Sequence, residues 1–166
     1  MCDRQLLRII KYLNGSAEWW HIGFIGDSPD ELELGLFSDA DFAGDRADMR
    51  STSGVFLALY GTHSFFPLCG HNKKHTAVSH STAEAEIAAA VHAIQMSGLP
   101  ALQRWERLLS CPLVLEVYQD NLSMARIMNS GRAPTLRRSK STHSVSAARI
   151  HERVSGPDIN LNECVS

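Results

Sequence analysis

Three carboxylates fall within seven positions in the stretch Ser38-Asp39-Ala40-Asp41-Phe42-Ala43-Gly44-Asp45. The alternating run Glu31-Leu32-Glu33-Leu34-Gly35-Leu36-Phe37 leads directly into it. Carboxylates crowded at a strand end repel one another, and a positive partner relieves that repulsion. A divalent cation is the simplest such partner, because hard cations take oxygen ligands. Two more acids occupy comparable positions. Glu86 lies in the second turn of an alanine-rich segment, and Asp120 closes the apolar run Leu113-Val114-Leu115-Glu116-Val117-Tyr118. Asp39, Glu86 and Asp120 therefore form a candidate set for Mg²⁺ or Mn²⁺. Two such ions roughly 3.5–4 Å apart can clamp the attacking and leaving oxygens of a phosphodiester, which makes phosphoryl transfer to water the expected chemistry. Taken singly, each carboxylate equally suits a turn or a solvated surface.

The elements that must position these groups are readable in outline. Residues 3–13 place apolar side chains at 6, 7, 9, 10 and 13, one face of a helix, and Asn14-Gly15 is its expected stop. Trp19 to Ile25 reads as a strand and Gly26 to Asp30 as a turn. The strand ending at Asp39, a second over Gly54–Tyr60, the tight turn Gly61-Thr62 and a third strand over His63–Cys69 form an antiparallel meander. Residues 70–80 read as a basic, histidine-rich loop. Ser81-Thr82-Ala83-Glu84 has the form of a capping box, opening a helix with Ile87, Val91 and Ile94 on one face. Gly98-Leu99-Pro100 ends or kinks it, and a further helical stretch runs through Leu109. The near-continuous apolar run ending at Tyr118 suits an interior strand. Helices over 122–129 and 139–154 and a last short strand over 159–164 complete the chain. A meander joined by a helix to a further interior strand implies an α/β fold with a mixed sheet.

Composition narrows the class. At 166 residues, 44% hydrophobic and 20% charged, the chain reads as one globular domain. No apolar run reaches the roughly 20 residues of a membrane helix, and no leader-like segment opens it. The cysteines Cys2, Cys69, Cys111 and Cys164 are widely spaced, as expected of reduced thiols in an intracellular protein, cytoplasmic or nuclear.

Phe37-Ser38-Asp39-Ala40-Asp41-Phe42-Ala43-Gly44-Asp45 followed by Arg50-Ser51-Thr52-Ser53-Gly54 closely resembles the opening of the ribonuclease H domain of copia-type retrotransposon polyproteins. Lys73 to Ser79 running into Ser81-Thr82-Ala83-Glu84-Ala85-Glu86 resembles the second block of that family, and Tyr118-Gln119-Asp120-Asn121-Leu122-Ser123-Met124-Ala125 its third. Leu6 to Gly15 is similar to the segment that joins the reverse transcriptase to that domain. The resemblance covers Leu6 to Leu161 in order. It implies a ribonuclease H-like five-stranded mixed sheet flanked by helices, with residues 1–30 a remnant of the connecting segment and 31–166 the domain without its C-terminal helix. It implies hydrolysis of the RNA strand of RNA–DNA hybrids, with Asp39, Glu86 and Asp120 as catalytic metal ligands for two Mg²⁺ or Mn²⁺ ions. An RNA–DNA hybrid and the parent polyprotein's reverse transcriptase domain are the implied partners, with no membrane. Asp41 and Glu84 fall beside the matching positions, as a turn or supporting residue and a capping partner. The family's fourth acid, in an Ala-Asp motif beyond the last strand, has no match before Ser166; Asp158 and Glu163 are the nearest acids. Gln119 stands where the family often has a small residue or Cys, Ile87 where it favours Tyr, and His143-Ser144-Val145 where it often has His-Ile-Asp. A catalytically silent domain that folds and binds nucleic acid without cleaving it is the alternative expectation.

Charge distribution supports a nucleic-acid surface. Between Asn121 and Val154 stand seven basic residues, among them Arg126, Arg132, Arg137, Arg138 and Lys140, opposed only by Glu152. Such a cluster can track phosphates, and a solvated basic helix is the plainer reading. His143 is a candidate proton shuttle. Asp39-x-Asp41-x-x-Gly44 imitates the start of an EF-hand loop, but the twelfth position is Arg50 and a strand precedes it, which excludes that motif. Cys69, His71, His75 and His80 fit no common zinc spacing.

Overall fold

Alternation of buried and exposed side chains from Glu33 to Asp41 builds the strand on which the sheet is centred. The computed structural model describes residues 2–44, 47–76, 78–120 and 158–163. Strand β1 (Glu33–Asp41) pairs antiparallel with β2 (Thr52–Gly61), and β2 pairs antiparallel with β3 (Ser64–Lys74). On its other side β1 runs parallel to β4 (Leu115–Gln119), which runs parallel to β5 (Ile159–Glu163). The order β3-β2-β1-β4-β5 is the mixed five-stranded sheet expected from the sequence. Leu34, Leu36, Ser38 and Ala40 are the buried set of β1, and their β2 partners Leu59, Leu57, Val55 and Ser53 are buried with them.

Helix α2 (Thr82–Ala93) covers that face. Ser81 caps it by accepting the Glu84 N–H at 3.2 Å. The box closes differently from the expected pattern, since the Glu84 carboxylate accepts the N–H of His80 at 2.7 Å. Ala85 and Ala89 pack against Ala40, and their small side chains let the helix lie close to β1. After a π-helical turn at Ile94–Gly98, helix α3 (Leu99–Leu109) continues, as the Gly98-Leu99-Pro100 signal anticipates. At Gly98 a Cβ would lie 2.8 Å from Leu115 Cδ2 and 3.0 Å from Leu36 Cδ2, so a larger residue here would make these core leucines shift. Leu34, Leu36, Leu57, Leu59, Ile87, Leu115 and Val117 form the centre of the core. Burial of each such side chain stabilises the fold by about 1.5–3 kcal/mol. On the opposite face, Phe37 stacks on Tyr118 with ring centroids 4.6 Å apart.

The structure differs from the sequence reading in several places. Helix α1 (Cys2–Ser16) runs past Asn14-Gly15 to Ser16, whose hydroxyl donates to the Tyr12 carbonyl at 2.7 Å. Trp19 to Ile25 forms no strand. Only Phe24 pairs, exchanging two backbone hydrogen bonds with Phe65 of β3. Apolar content marks β propensity, but a strand also needs a free edge to pair with, and Trp19, Trp20 and Ile22 meet none. The turn that follows is anchored by Ser64 Oγ, which accepts the N–H groups of Gly26 and Asp27. Strand β3 extends to Lys74, so the first part of the expected basic loop is edge strand, held by the pairs Ser53↔Lys73 and Thr52↔Lys74. β1 runs two residues beyond Asp39, which therefore lies within the strand. The helices expected over 122–129 and 139–154 lie outside the described residues.

Candidate metal centre

The β1–β4 ladder ends at the pair Phe37↔Tyr118. Beyond it β1 continues to Asp39 while β4 ends at Gln119 and the chain reaches Asp120, so both acids arrive at the same end of adjacent parallel strands. That is where sites collect in open α/β sheets. Helix α2 brings Glu86 to the same point. One carboxylate oxygen from each of Asp39, Glu86 and Asp120 lies within 4.8 Å of the others. Among the described residues this is the single group of three or more His, Cys, Asp or Glu side chains so gathered. Asp39 and Asp120 are exposed and Glu86 is buried, so the cluster has a closed floor and an open mouth.

Behind the carboxylates runs a buried polar relay. Ser38 Oγ donates to Gln119 Oε1 at 3.0 Å, and Gln119 Nε2 donates to Glu86 Oε2 at 3.0 Å. Ser38 adjoins Asp39 and Gln119 adjoins Asp120, so the relay ties together the three elements that carry the acids. Gln119 is only 2% exposed, where an unpartnered amide would be costly. Its role was not foreseen. The signal was nevertheless present, because Gln119 shares the parity of Leu115 and Val117, and a polar side chain on a core-facing position must find partners.

Electrostatics mark Glu86 as the strained member. Burial raises its pKa most, and the negative charges of Asp39 and Asp120 raise it further. The hydrogen bonds from Gln119 and the Ala40 backbone act in the opposite direction, and the balance leaves its carboxyl pushed up to about 7. The negative charge crowded against the Glu86 carboxylate is what a divalent cation would relieve. An all-oxygen donor set suits Mg²⁺ or Mn²⁺ over zinc.

The other candidates are distributed as follows. Asp41 is not in the cluster; its carboxylate lies against Gly44, where a Cβ would come within 1.9 Å of Oδ2, so it belongs to the turn. Asp158 precedes β5, at the far end of the strands from Asp120, and Glu163 pairs with Gln119 in the backbone ladder. Cys69, His71, His75 and His80 do not gather. Arg126, Arg132, Arg137, Arg138, Lys140 and His143 lie outside the described residues.

No family model matches the chain. The retrovirus-related Pol polyprotein from transposon RE1 of Arabidopsis thaliana is 38% identical to it over 81 residues. That from transposon RE2 of the same plant is 37% identical over 81 residues. Each match takes in 49% of this chain and 5% of the polyprotein, so the chain corresponds to a small part of the relatives it matches. The structure of LC11-RNase H1, isolated from compost by a metagenomic approach, aligns with 80% of this chain and 84% of its own at a TM-score of 0.50 and 16% identity. The chain has a ribonuclease H-like fold and is similar over about half its length to retrotransposon Pol polyproteins. In this ribonuclease H-like domain the three acids foreseen from sequence converge on one sheet end, and Gln119 joins them from behind.

Proposed function

We propose that this domain is a metal-dependent nuclease that hydrolyses the RNA strand of RNA–DNA hybrids, as part of a copia-type polyprotein. The observation that carries the reading is the convergence of Asp39, Glu86 and Asp120 within 4.8 Å at the ends of adjacent parallel strands. Asp39 and Asp120 would hold a divalent cation from the open side and Glu86 from the floor. A cation bound there polarises a phosphodiester oxygen and lowers the pKa of water. Gln119 and Ser38 keep the Glu86 carboxylate turned into the cluster, and the exposed mouth leaves room for a strand of nucleic acid. Residues 1–30 act in this reading as the connection to a preceding reverse transcriptase domain, and 31–166 as the hydrolytic unit.

The test is incubation of the chain with an RNA–DNA hybrid and Mg²⁺ or Mn²⁺, beside Asp39→Asn. Cleavage by the parent and a loss of at least about 100-fold in the variant is expected, since removal of one preorganised electrostatic group in an active site typically costs 10²–10³. No cleavage by a folded parent that still binds the hybrid would replace this reading with that of a silent nucleic-acid-binding domain.

A further inference from the structure

Helices α1 and α3 are both amphipathic, but only α3 buries its apolar face within the domain. In α3, Leu102 is buried, and Leu99, Trp105 and Leu109 pack against the core. In α1 the stripe Leu6, Ile10 and Leu13, with Leu7 and Ile9 beside it, joins neither the core nor the side chains packed on it. These five are 45% to 57% exposed. A second stripe, Arg4, Arg8 and Lys11, repeats the same i, i+4, i+7 spacing two residues earlier. Two residues turn a helix by about 200°, so the cationic stripe lies opposite the apolar one. Asp3 is the single acid of the helix, which makes α1 net positive in a chain of net charge −2. The chain turns back directly after the helix. The N–H of Trp19 donates to the Ser16 carbonyl at 3.0 Å, and its indole meets the Tyr12 ring edge-on with centroids 6.2 Å apart. Trp19 and Trp20 are nonetheless 73% and 85% exposed, so α1 ends in an aromatic group open to its surroundings.

An unburied apolar stripe, a cationic stripe opposite it and tryptophans at one end suit a helix that lies in the surface of a bilayer. Tryptophan and tyrosine rings have an apolar body and a polar tip, which fits them to the headgroup level. Long cationic side chains bend round to the phosphates while their stems cover apolar surface. Other occupants satisfy less of the helix. A second copy would pair two helices of 15 residues, well short of the roughly three to four heptads of a self-sufficient coiled coil. Nucleic acid would engage Arg4, Arg8 and Lys11 and leave the apolar stripe in water. No described helix is long and apolar enough to cross a membrane, so the contact is with its surface. We infer that α1 and Trp19-Trp20 dock on an anionic lipid surface, with Leu6, Ile10 and Leu13 inserted and the three cations at the headgroups. This occupant lies beyond the partners that the resemblance implies, and it needs neither the metal nor cleavage.

The full chain is sedimented with sucrose-loaded vesicles of phosphatidylcholine alone or of phosphatidylcholine with phosphatidylserine. The parent is expected to sediment with the anionic vesicles and to stay in solution with the neutral ones. Each Lys or Arg near an anionic surface strengthens binding roughly fivefold, so Arg4→Gln with Arg8→Gln should weaken it by about 25-fold. Leu6→Ser with Ile10→Ser should weaken it by at least about tenfold. Arg104→Gln, which removes an exposed charge from α3, should leave it unchanged. Tryptophan emission should move to the blue on the anionic vesicles, and that shift should vanish in Trp19→Ser with Trp20→Ser, where Trp105 remains. Urea midpoints confirm that each variant is folded. A parent that does not sediment, equal binding to both kinds of vesicle, or parental binding by either double variant of α1 would overturn the assignment. So would a lipid-free dimer of the parent that Leu6→Ser with Ile10→Ser abolishes, since the stripe would then belong to a second copy. Weaker binding of an RNA–DNA hybrid by Arg4→Gln with Arg8→Gln, at unchanged vesicle binding, would give the cationic stripe to nucleic acid and overturn it equally.

Discussion

Helices α1 and α2 carry apolar faces of opposite kind. The apolar side chains of α1 are large, yet Leu6, Leu7, Ile9, Ile10 and Leu13 all remain exposed. In α2 half of the side chains are alanine, yet Ala85, Ala89, Ala90 and Ala93 are buried completely. Size of the apolar stripe therefore does not decide which helix belongs to the core. Small residues allow α2 to approach β1 until Ala40, Ala85 and Ala89 touch, and that closeness is what lets Glu86 reach the strand ends and Gln119 reach Glu86. A helix of larger side chains would stand farther off and separate the acids. Thus α2 positions chemistry through packing, whereas α1 contributes none of its described side chains to the core.

The sharpest way to break the α2 side of this comparison is Gln119→Leu. The substitution keeps volume roughly constant but leaves Ser38 Oγ without its acceptor and removes a donor from the buried Glu86 carboxylate. A loss of about 2–4 kcal/mol is expected, since buried polar groups stripped of a partner cost about 1–3 kcal/mol each and charged ones more. Urea unfolding checks it. The same variant should bind Mn²⁺ more weakly in titration calorimetry, because Glu86 is no longer held toward Asp39 and Asp120. A variant as stable as the parent would mean that the relay contributes nothing to the fold.

A smaller effect follows from protonation of the same corner. The Glu86 carboxyl titrates at about 7 in the fold against an ordinary value of 4.5. Between those values the folded chain holds a proton that the unfolded chain has released, so the contribution of Glu86 to stability falls as pH rises from 4.5 through 7. The parent should lose about 1–3 kcal/mol relative to Glu86→Gln between pH 5 and pH 8 in metal-free buffer. Millimolar Mg²⁺ should flatten the difference, because a bound cation takes over the role of the proton. Parallel stability curves for the two proteins would show that Glu86 ionises without strain.

The sequence made much of this corner legible, for identifiable reasons. Asp39 and Asp120 announced themselves by standing at the ends of apolar runs, and Glu86 by its place in a capped, alanine-rich helix. What periodicity could not supply was pairing. Trp19 to Ile25 carries the composition of a strand, but only Phe24 finds an edge. His71 to Lys74 carries the composition of a loop, but β2 is long enough to hold it as strand. Gln119 was visible as an oddity, and its bonding was not, because it depends on the distance between α2 and β4. Long-range spacing of that sort is fixed by packing, which no local window of residues contains.

The least effect should come from α1. Leu6→Ser with Ile10→Ser strips two side chains that are 56% and 45% exposed and lie one helical turn apart. Surface changes of this type alter stability by less than about 0.5 kcal/mol. The double variant should therefore match the parent in urea midpoint and in Mn²⁺ affinity, while losing some helicity in far-ultraviolet circular dichroism through the lower helix propensity of Ser. A fall of 1 kcal/mol or more would place the α1 stripe against the body of the domain in solution. The contrast between the helices would then be one of strength alone, and close approach would lose its standing as the reason that α2, and not α1, carries a member of the acidic cluster.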